Sequence, residues 1–141
     1  MRLIHISLLS ILLGLVATAT ESSSTLKLIA NESVAATAIS IDEVKEVFLL
    51  TSPSFGSSGR VTPVLEKGGP AHEAFLKEYL RKTDDGLLTY YRSLLFTGKA
   101  TMPKMFNTDA EVVEYVSKTK GAVGYVSAAA DSTGAKTLKV K

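Results

Sequence analysis

The sequence contains no cysteine, and this absence excludes several kinds of chemistry at once. Without a thiol there is no disulfide bond, no thiolate metal site, no cysteine nucleophile and no lipid-modified cysteine of the bacterial lipoprotein type. The folded state must therefore be stabilised by its hydrophobic core without disulfide cross-links. A chain of 141 residues with 45% hydrophobic residues is long and apolar enough for one domain with such a core.

Histidine is also scarce, with one residue near the amino terminus and one in the middle of the chain, His5 and His72. A metal site or catalytic pair made of several histidines is therefore excluded. Asp84 and Asp85 are adjacent in a predicted helix, so their side chains do not face each other as an acid–base pair. No G-x-S-x-G elbow occurs. We expect no enzymatic activity, no cofactor and no metal, and His72 is predicted to be a solvent-exposed surface histidine.

Neither sign of charge dominates the sequence, which has 16 basic and 14 acidic residues. A nucleic-acid-binding domain usually concentrates basic residues on one face. The near balance of charges therefore argues against nucleic acid as a partner.

The first 19 residues have the three regions of a secretory signal peptide. Arg2 gives a positive start, residues 8–16 are mostly apolar, and Ala17 and Ala19 are the small residues of a cleavage site. The alternative is an uncleaved anchor, but the apolar run is shorter than the ~20 residues that span a bilayer. We predict a cleaved leader at residues 1–19, a single exported periplasmic domain at residues 20–141, and no membrane span after cleavage.

The first half of that domain alternates between strand and helix patterns. Residues 25–30 alternate polar and apolar side chains and predict a strand. Residues 34–39 look like a linker, and Ser40 with Glu43 forms a capping box that starts a helix. Residues 51–60 have loop composition, and residues 61–65 predict a strand, at a sheet edge because of Pro63. Pro70 then starts a second helix.

The second half continues this alternation. Thr83 is a predicted helix N-cap, with Asp84 and Asp85 matching the helix dipole. An apolar stripe follows, formed by Leu87, Leu88, Tyr91, Leu94 and Leu95. Residues 97–107 are a predicted loop, and Thr108 with Glu111 starts a further helix. Residues 122–126 and 138–140 predict the last strands. Strands separated by helices indicate an α/β sandwich with a small parallel or mixed sheet.

One segment has a physical reason to bind a ligand, the run from Lys67 to His72. A glycine pair, Gly68 and Gly69, leads into a helix N-terminus, where free N–H groups attract anions. The backbone of both glycines and of Ala71 would bind the anion, and Lys67 and His72 would add positive charge. The alternative is an ordinary loop-to-helix turn. The serine-rich loop with Arg60 is a weaker candidate of the same kind.

The order of several short motifs resembles that of the exported proteins related to phosphate ABC-transporter substrate-binding proteins, which have the periplasmic-binding-protein-like fold. The motifs that carry the resemblance are residues 28–34, 41–49 and 59–64, Phe75 with Tyr79 and Leu80, residues 96–99, and residues 121–126. The resemblance implies a three-layer α/β sandwich like one lobe of a type II periplasmic binding protein. That lobe has a small mixed sheet flanked by about four helices.

The resemblance also implies a ligand site that has changed. The family's run Arg-x-x-Gly-Ser-Gly-Thr falls on residues 65–71, where only Gly68 matches and Leu65 replaces the arginine. Phe55 stands where the family usually has tryptophan. We therefore expect, at most, weak binding of an oxyanion such as phosphate. The alternative is an envelope interaction module that kept the fold and lost the ligand site, with an envelope protein or an ABC-transporter component as partner. An enzyme ranks third.

Overall fold

A curled five-stranded mixed sheet forms the centre of the computed structural model, which describes residues 25–141. The predicted leader lies outside the described residues. The strands are β1 (Leu26–Ala30), β2 (Ala38–Ile39), β3 (Thr62–Pro63), β4 (Leu65–Glu66), β5 (Met105–Phe106), β6 (Ala122–Ser127) and β7 (Lys136–Val140). The helices are α1 (Ile41–Phe48), α2 (Pro70–Phe75) with a π-helical segment (Leu76–Leu80), α3 (Asp84–Phe96) and α4 (Asp109–Lys118). Between residues 25 and 141, no helix is long and apolar enough to cross a membrane.

The strand order in the main sheet is β2-β7-β1-β6-β3. The central strand β1 is antiparallel to both of its neighbours, with Leu28 opposite Tyr125 on β6 and opposite Leu138 on β7. The outer strands β2 and β3 run parallel to β7 and β6 respectively. Strands β4 and β5 form a separate parallel pair. The sheet is therefore mixed, as predicted.

Alternation along the central strands divides the core into two layers. Leu28 and Ala30 of β1 face the larger core, which packs against α1, α2, the π-helical segment and α3. Ile29 of β1 and Val126 of β6 face the smaller core, which packs against α4. Because successive residues of a strand point to opposite faces, this pattern gives helices on both sides of the sheet. The predicted three-layer α/β sandwich is confirmed.

Aromatic side chains fill the larger core. The rings of Phe75 and Tyr125 are nearly parallel with centroids 4.0 Å apart, and Phe48 meets Phe75 edge-on at 4.7 Å. The hydroxyl of Tyr91 on α3 donates a hydrogen bond of 2.6 Å to the carbonyl oxygen of Phe48. Such contacts combine large apolar burial with defined ring geometry, and here they connect α3 to α1, α1 to α2, and α2 to β6.

Helix starts were the most accurate local predictions. Ser40 and Glu43 form the capping box at α1, with hydrogen bonds of 2.8 and 3.2 Å. Thr83 caps α3 by accepting from the Gly86 amide. Thr108 caps α4 through the Glu111 amide, but the Glu111 carboxylate accepts from Asn107 rather than from Thr108 itself.

Three strand predictions need correction. The strand predicted over residues 61–65 is two strands in two sheets, because Val64 between them turns into the smaller core. Strand β2 lies within the predicted linker 34–39, and β5 lies within the predicted loop 97–107. Both are only two residues long, too short for an alternating pattern to show in the sequence. Pro63 does lie on an edge strand, as predicted.

The predicted apolar stripe of α3 is only partly buried. Leu87 and Tyr91 are each 1% exposed, whereas Leu95 is 48% exposed. The next residue, Phe96, is 86% exposed. The stripe is thus wrong at its carboxyl end, where the last turn of α3 contributes no buried residue to the core.

Close packing between α4 and the sheet predicts a stability effect at Gly124. A β-carbon on Gly124 would lie 3.0 Å from Val112 Cγ1 and 3.1 Å from Val64 Cγ2. We expect Gly124→Ala to lower the free energy of unfolding in urea by about 1–3 kcal/mol, because all three residues are confined in the core. The matched control is Gly68→Ala, where no atom lies within 4 Å. Equal stability of the two variants would contradict this packing.

Candidate functional site

Three helices begin at the same edge of the main sheet. The register places Leu26, the start of β1, opposite Ser127, the end of β6. Strands β2, β3 and β7 point towards this edge because they run in the same direction as β6. Helix α1 follows β2 there, and the end of β4 leads to α2. The Asp109 carboxylate at the start of α4 accepts a hydrogen bond of 3.2 Å from the Ser127 amide.

We call this region, with the starts of α1, α2 and α4, the carboxyl edge. In open α/β sheets, ligands bind outside the carboxyl ends of strands, where the positive ends of helix dipoles meet. The carboxyl edge is therefore the natural place for a ligand site in this fold. The predicted anion-binding run, residues 67–72, begins there.

The loop between β4 and α2 is open to solvent. Lys67, Gly68 and Gly69 are exposed, and no atom lies within 4 Å of the position of a β-carbon on either glycine. Gly69 caps α2 with a φ of 93°, a backbone conformation that favours glycine. The first intrahelical hydrogen bond runs from the Glu73 amide to the Gly69 carbonyl oxygen at 3.0 Å. The N–H group of Ala71 therefore lies before the first intrahelical hydrogen bond and has no acceptor within the helix.

His72 is buried, which corrects the prediction of a surface histidine. Its exposed fraction is 3%. Nδ1 lies 2.5 Å from the hydroxyl oxygen of Tyr125, and Nε2 lies 2.9 Å from Oδ1 of Asp84. The prediction was wrong because α2 lies with this side against β6, so a first-turn position faces the sheet. Asp84 was expected only to match the dipole of α3, and it also fixes the orientation of the imidazole.

The donors and acceptors of this cluster have one fully satisfied arrangement. The Glu66 amide donates to the Tyr125 hydroxyl oxygen at 3.0 Å. Burial raises the pKa of the Tyr125 phenol above its usual value, so the hydroxyl keeps its proton and donates it to Nδ1 of His72. In this arrangement Nε2 of His72 donates to Asp84. This chain of hydrogen bonds connects β4, β6, α2 and α3.

A pair of carboxyl groups lies where β4 ends and α4 begins. Glu66 is 4% exposed, and its side chain forms a hydrogen bond with that of Asp109. Burial, with this hydrogen bond and the repulsion by Asp109, raises the pKa of Glu66 to about 8. Glu66 is therefore protonated at neutral pH and donates to the Asp109 carboxylate. Its Oε1 is buried without a hydrogen-bond partner.

Asp109 remains ionised beside Glu66. Burial by itself would raise the pKa of Asp109, but hydrogen bonds from Glu66 and Ser127 and the nearby charge of Lys27 lower it below the usual value. Lys27 is held close by a hydrogen bond of 2.6 Å from Nζ to the carbonyl oxygen of Ala130. The Glu66–Asp109 pair thus holds one proton and one negative charge.

The structure separates the predicted site residues into two groups. Lys67, Gly68 and Gly69 form the open loop, and Ala71 is 2% exposed at its base. His72 lies in the same turn, but both of its ring nitrogens already have partners. Leu65, at the position of the family's arginine, is completely buried in the core.

Sequence reasoning missed the polar residues around this loop. Glu66 and Asp109 lie 43 positions apart and Tyr125 belongs to an apolar strand, so no spacing pattern connects them. The one available indication was Glu66 itself, an acidic residue directly after an apolar run. Across residues 25–141, no three histidine, aspartate or glutamate side chains come together as a metal site.

No protein-family model matches the sequence, and no significant match occurs among curated proteins. Solved structures do match. An ABC-type phosphate transport receptor from Vibrio cholerae aligns with a TM-score of 0.63 and 14% identity, over 82% of this chain and 46% of the receptor. PstS from Borrelia burgdorferi aligns with a TM-score of 0.62 and 14% identity, over 83% of this chain and 47% of PstS.

A putative phosphate ABC transporter substrate-binding protein from Clostridium perfringens, solved with bound phosphate, gives a TM-score of 0.62 at 15% identity. The match covers 82% of this chain and 44% of that protein. The chain thus spans less than half the length of the receptors that it matches. At these identities the likeness concerns the fold, and it confirms the fold that the motifs implied. The chain has the fold of a single lobe of the phosphate ABC-transporter substrate-binding proteins.

Proposed function

We propose that this protein is an exported, non-enzymatic binding module related to phosphate-transport receptors, which binds a small oxyanion weakly at the carboxyl edge. The backbone of Gly68, Gly69 and Ala71 would bind the anion, and Lys67 would add positive charge. His72, predicted to add charge as well, would instead hold the first turn of α2 in place through Tyr125 and Asp84. The observation that carries the proposal is the open glycine loop at the start of α2, in a fold shared with phosphate receptors.

Two features limit the affinity. Leu65 stands at the position of the family's arginine, and Gly69 and Ala71 stand at the positions of its hydroxyl donors. Each missing charge-assisted hydrogen bond is typically worth about 1.5–3 kcal/mol of binding free energy. The chain also corresponds to less than half of each receptor. A single lobe leaves the anion in contact with water, where electrostatic attraction is weaker. We expect millimolar rather than micromolar affinity.

Export to the periplasm is part of the same proposal. It rests on the leader pattern of residues 1–19 and on the transport role named for the structural neighbours. Amino-terminal sequencing of the periplasmic protein should begin at Thr20, and a sequence that begins at Met1 would contradict cleavage. The neighbours are transport receptors, which supports a binding function rather than an enzymatic one.

Thermal unfolding with increasing phosphate tests the oxyanion proposal. A ligand that binds only the native state raises the melting temperature saturably. We expect such a rise at millimolar phosphate for the native protein, a smaller rise for Lys67→Gln and an unchanged rise for the surface control Lys120→Gln. No rise with phosphate, sulfate or arsenate would overturn the proposal and favour the interaction module that has lost its ligand site.

A further inference from the structure

A pocket of about 590 Å³ lies beside the carboxyl edge, where the π-helical segment turns into α3. Its walls come from the end of the β4–α2 loop, from one side of α2 and from the first turn of α3. The lining residues are Gly68, His72, Glu73, Leu76, Lys77, Arg81, Lys82, Thr83 and Asp84. The pocket is larger than an inorganic oxyanion needs and falls within the size range of small organic ligands.

Three cations are among the residues that line this pocket, namely Lys77, Arg81 and Lys82. Within the described part of the chain, the ion pair that involves a lysine or arginine is Glu114–Lys118, so none of the three pocket cations has a carboxylate partner. Lys82 is placed by its contact with the Tyr90 ring, 5.2 Å from Nζ to the ring centroid. The three cations are thus available to an anionic group.

Two unusual backbone features bring these cations together. Residues Leu76–Leu80 form a π-helix, whose hydrogen bonds join residues five apart and place Lys77 above Arg81 and Lys82. Arg81 then has a φ of 51° and a ψ of 45°, a left-handed conformation that is uncommon for residues other than glycine, asparagine and aspartate. Rare conformations of this kind are concentrated at binding sites.

Part of the pocket wall is acidic and held in place by hydrogen bonds. His72 is fixed between Tyr125 and Asp84, and the Asp84 side chain remains 55% exposed although one oxygen binds the imidazole. Glu73 is exposed on the same wall. A ligand in the pocket would therefore meet cations, hydrogen-bond acceptors and the apolar side chain of Leu76.

We infer that this pocket binds a small hydroxylated organic anion, whose phosphate or carboxylate group contacts Lys77, Arg81 and Lys82 and whose hydroxyl groups donate to Glu73 and Asp84. This inference goes beyond the proposed function, because the anionic group is assigned to other cations and the ligand is larger, although Gly68 and His72 border both sites. It does not require the glycine loop to bind inorganic phosphate.

Calorimetric titration of the native protein with glycerol 3-phosphate tests this inference, with glycerol and inorganic phosphate as the neutral and the small anionic probes. We expect saturable binding of glycerol 3-phosphate, none of glycerol and, at this pocket, weaker binding of inorganic phosphate. The double variant Lys77→Gln with Arg81→Asn should bind glycerol 3-phosphate at least tenfold more weakly. Asparagine suits the left-handed position, so the variant is expected to fold.

A second variant makes the test independent of that double substitution. Glu73→Gln keeps a hydrogen-bond acceptor and removes a negative charge, so it should strengthen binding of glycerol 3-phosphate severalfold. Lys67→Gln and Lys120→Gln should leave this affinity unchanged. Absence of binding by the native protein, or binding that the double variant retains, would overturn the inference. Loss of binding in Lys67→Gln alone would also overturn it, because the anion would then lie on the glycine loop.

Discussion

Replacing Tyr125 by phenylalanine should lower the free energy of unfolding by about 2–4 kcal/mol, although only one oxygen atom is removed. The Tyr125 hydroxyl accepts from the Glu66 amide at 3.0 Å and lies 2.5 Å from Nδ1 of His72. Both groups are buried. Without the hydroxyl, one donor and one acceptor lose their partners in the core, and each costs about 1–3 kcal/mol. Urea unfolding at neutral pH measures the change.

The matched control for Tyr125 is Tyr115→Phe. Tyr115 is half-buried on α4, and its ring packs against Phe106 with centroids 5.2 Å apart. The same loss of one oxygen should cost less than about 0.5 kcal/mol there, because water can replace any lost hydrogen bond. If Tyr125→Phe lowers the free energy of unfolding no more than this control does, the hydrogen-bond chain through His72 does not contribute to stability.

The second large effect concerns the pH dependence of stability and the carboxyl pair at the carboxyl edge. Glu66→Gln should make the protein more stable by about 2–3 kcal/mol at pH 8 and leave it nearly unchanged at pH 5. Glutamine has the same shape as protonated glutamate. Its amide donates a hydrogen bond to Asp109 at every pH in this range, without having to take up a proton. The comparison requires urea unfolding of both proteins at several pH values from 5 to 9.

The sign of this effect follows from proton binding. The pKa of Glu66 is raised to about 8 in the folded protein, above the ordinary value of 4.5. Between these values the unfolded chain releases the proton while the folded protein keeps it, so stability falls as pH rises, until the folded form also loses the proton. The pKa of Asp109 is lowered, so its contribution is lost only on acidification below its ordinary range.

Glu114→Gln is the matched control for the carboxyl pair. Glu114 is exposed and forms a 2.8 Å ion pair with Lys118 one helical turn away, and such surface pairs contribute little. The free energy of unfolding of the control should therefore change with pH in the same way as that of the native protein from pH 5 to pH 9. If the free energy of unfolding of Glu66→Gln also follows that of the native protein across this pH range, Glu66 is not protonated in the folded state.

Local signals in the sequence predicted the helices well. Capping residues such as Ser40, Thr83 and Thr108 act over three or four positions, so a helix start is encoded where it occurs. The longer strands were also found, because alternation or a continuous apolar run is visible over five or six residues. The short strands β2 and β5 were missed because two residues show no pattern, and pairing with distant strands makes them strands.

The candidate site was predicted only for the part that is formed by residues adjacent in the sequence. The run Lys67–Gly68–Gly69 is an exposed loop before a helix, as its composition indicates. His72 was assigned to the surface because a first-turn position gives no information on which side of the helix meets the sheet. Asp84, twelve residues away, and Tyr125, fifty-three residues away, become its partners only after α2 and α3 pack on β6.

By itself, the sequence determined the alternation of helices with the longer strands, the helix caps, the glycine loop and the exclusion of thiol and multi-histidine chemistry, because each depends on residue type or on neighbours a few positions apart. Only the tertiary structure decided that three helices begin at one edge, that Glu66 shares a proton with Asp109, and that Lys77, Arg81 and Lys82 border one pocket. These features join residues far apart in the chain or depend on an unusual backbone turn, and burial then sets their pKa values and hydrogen bonds.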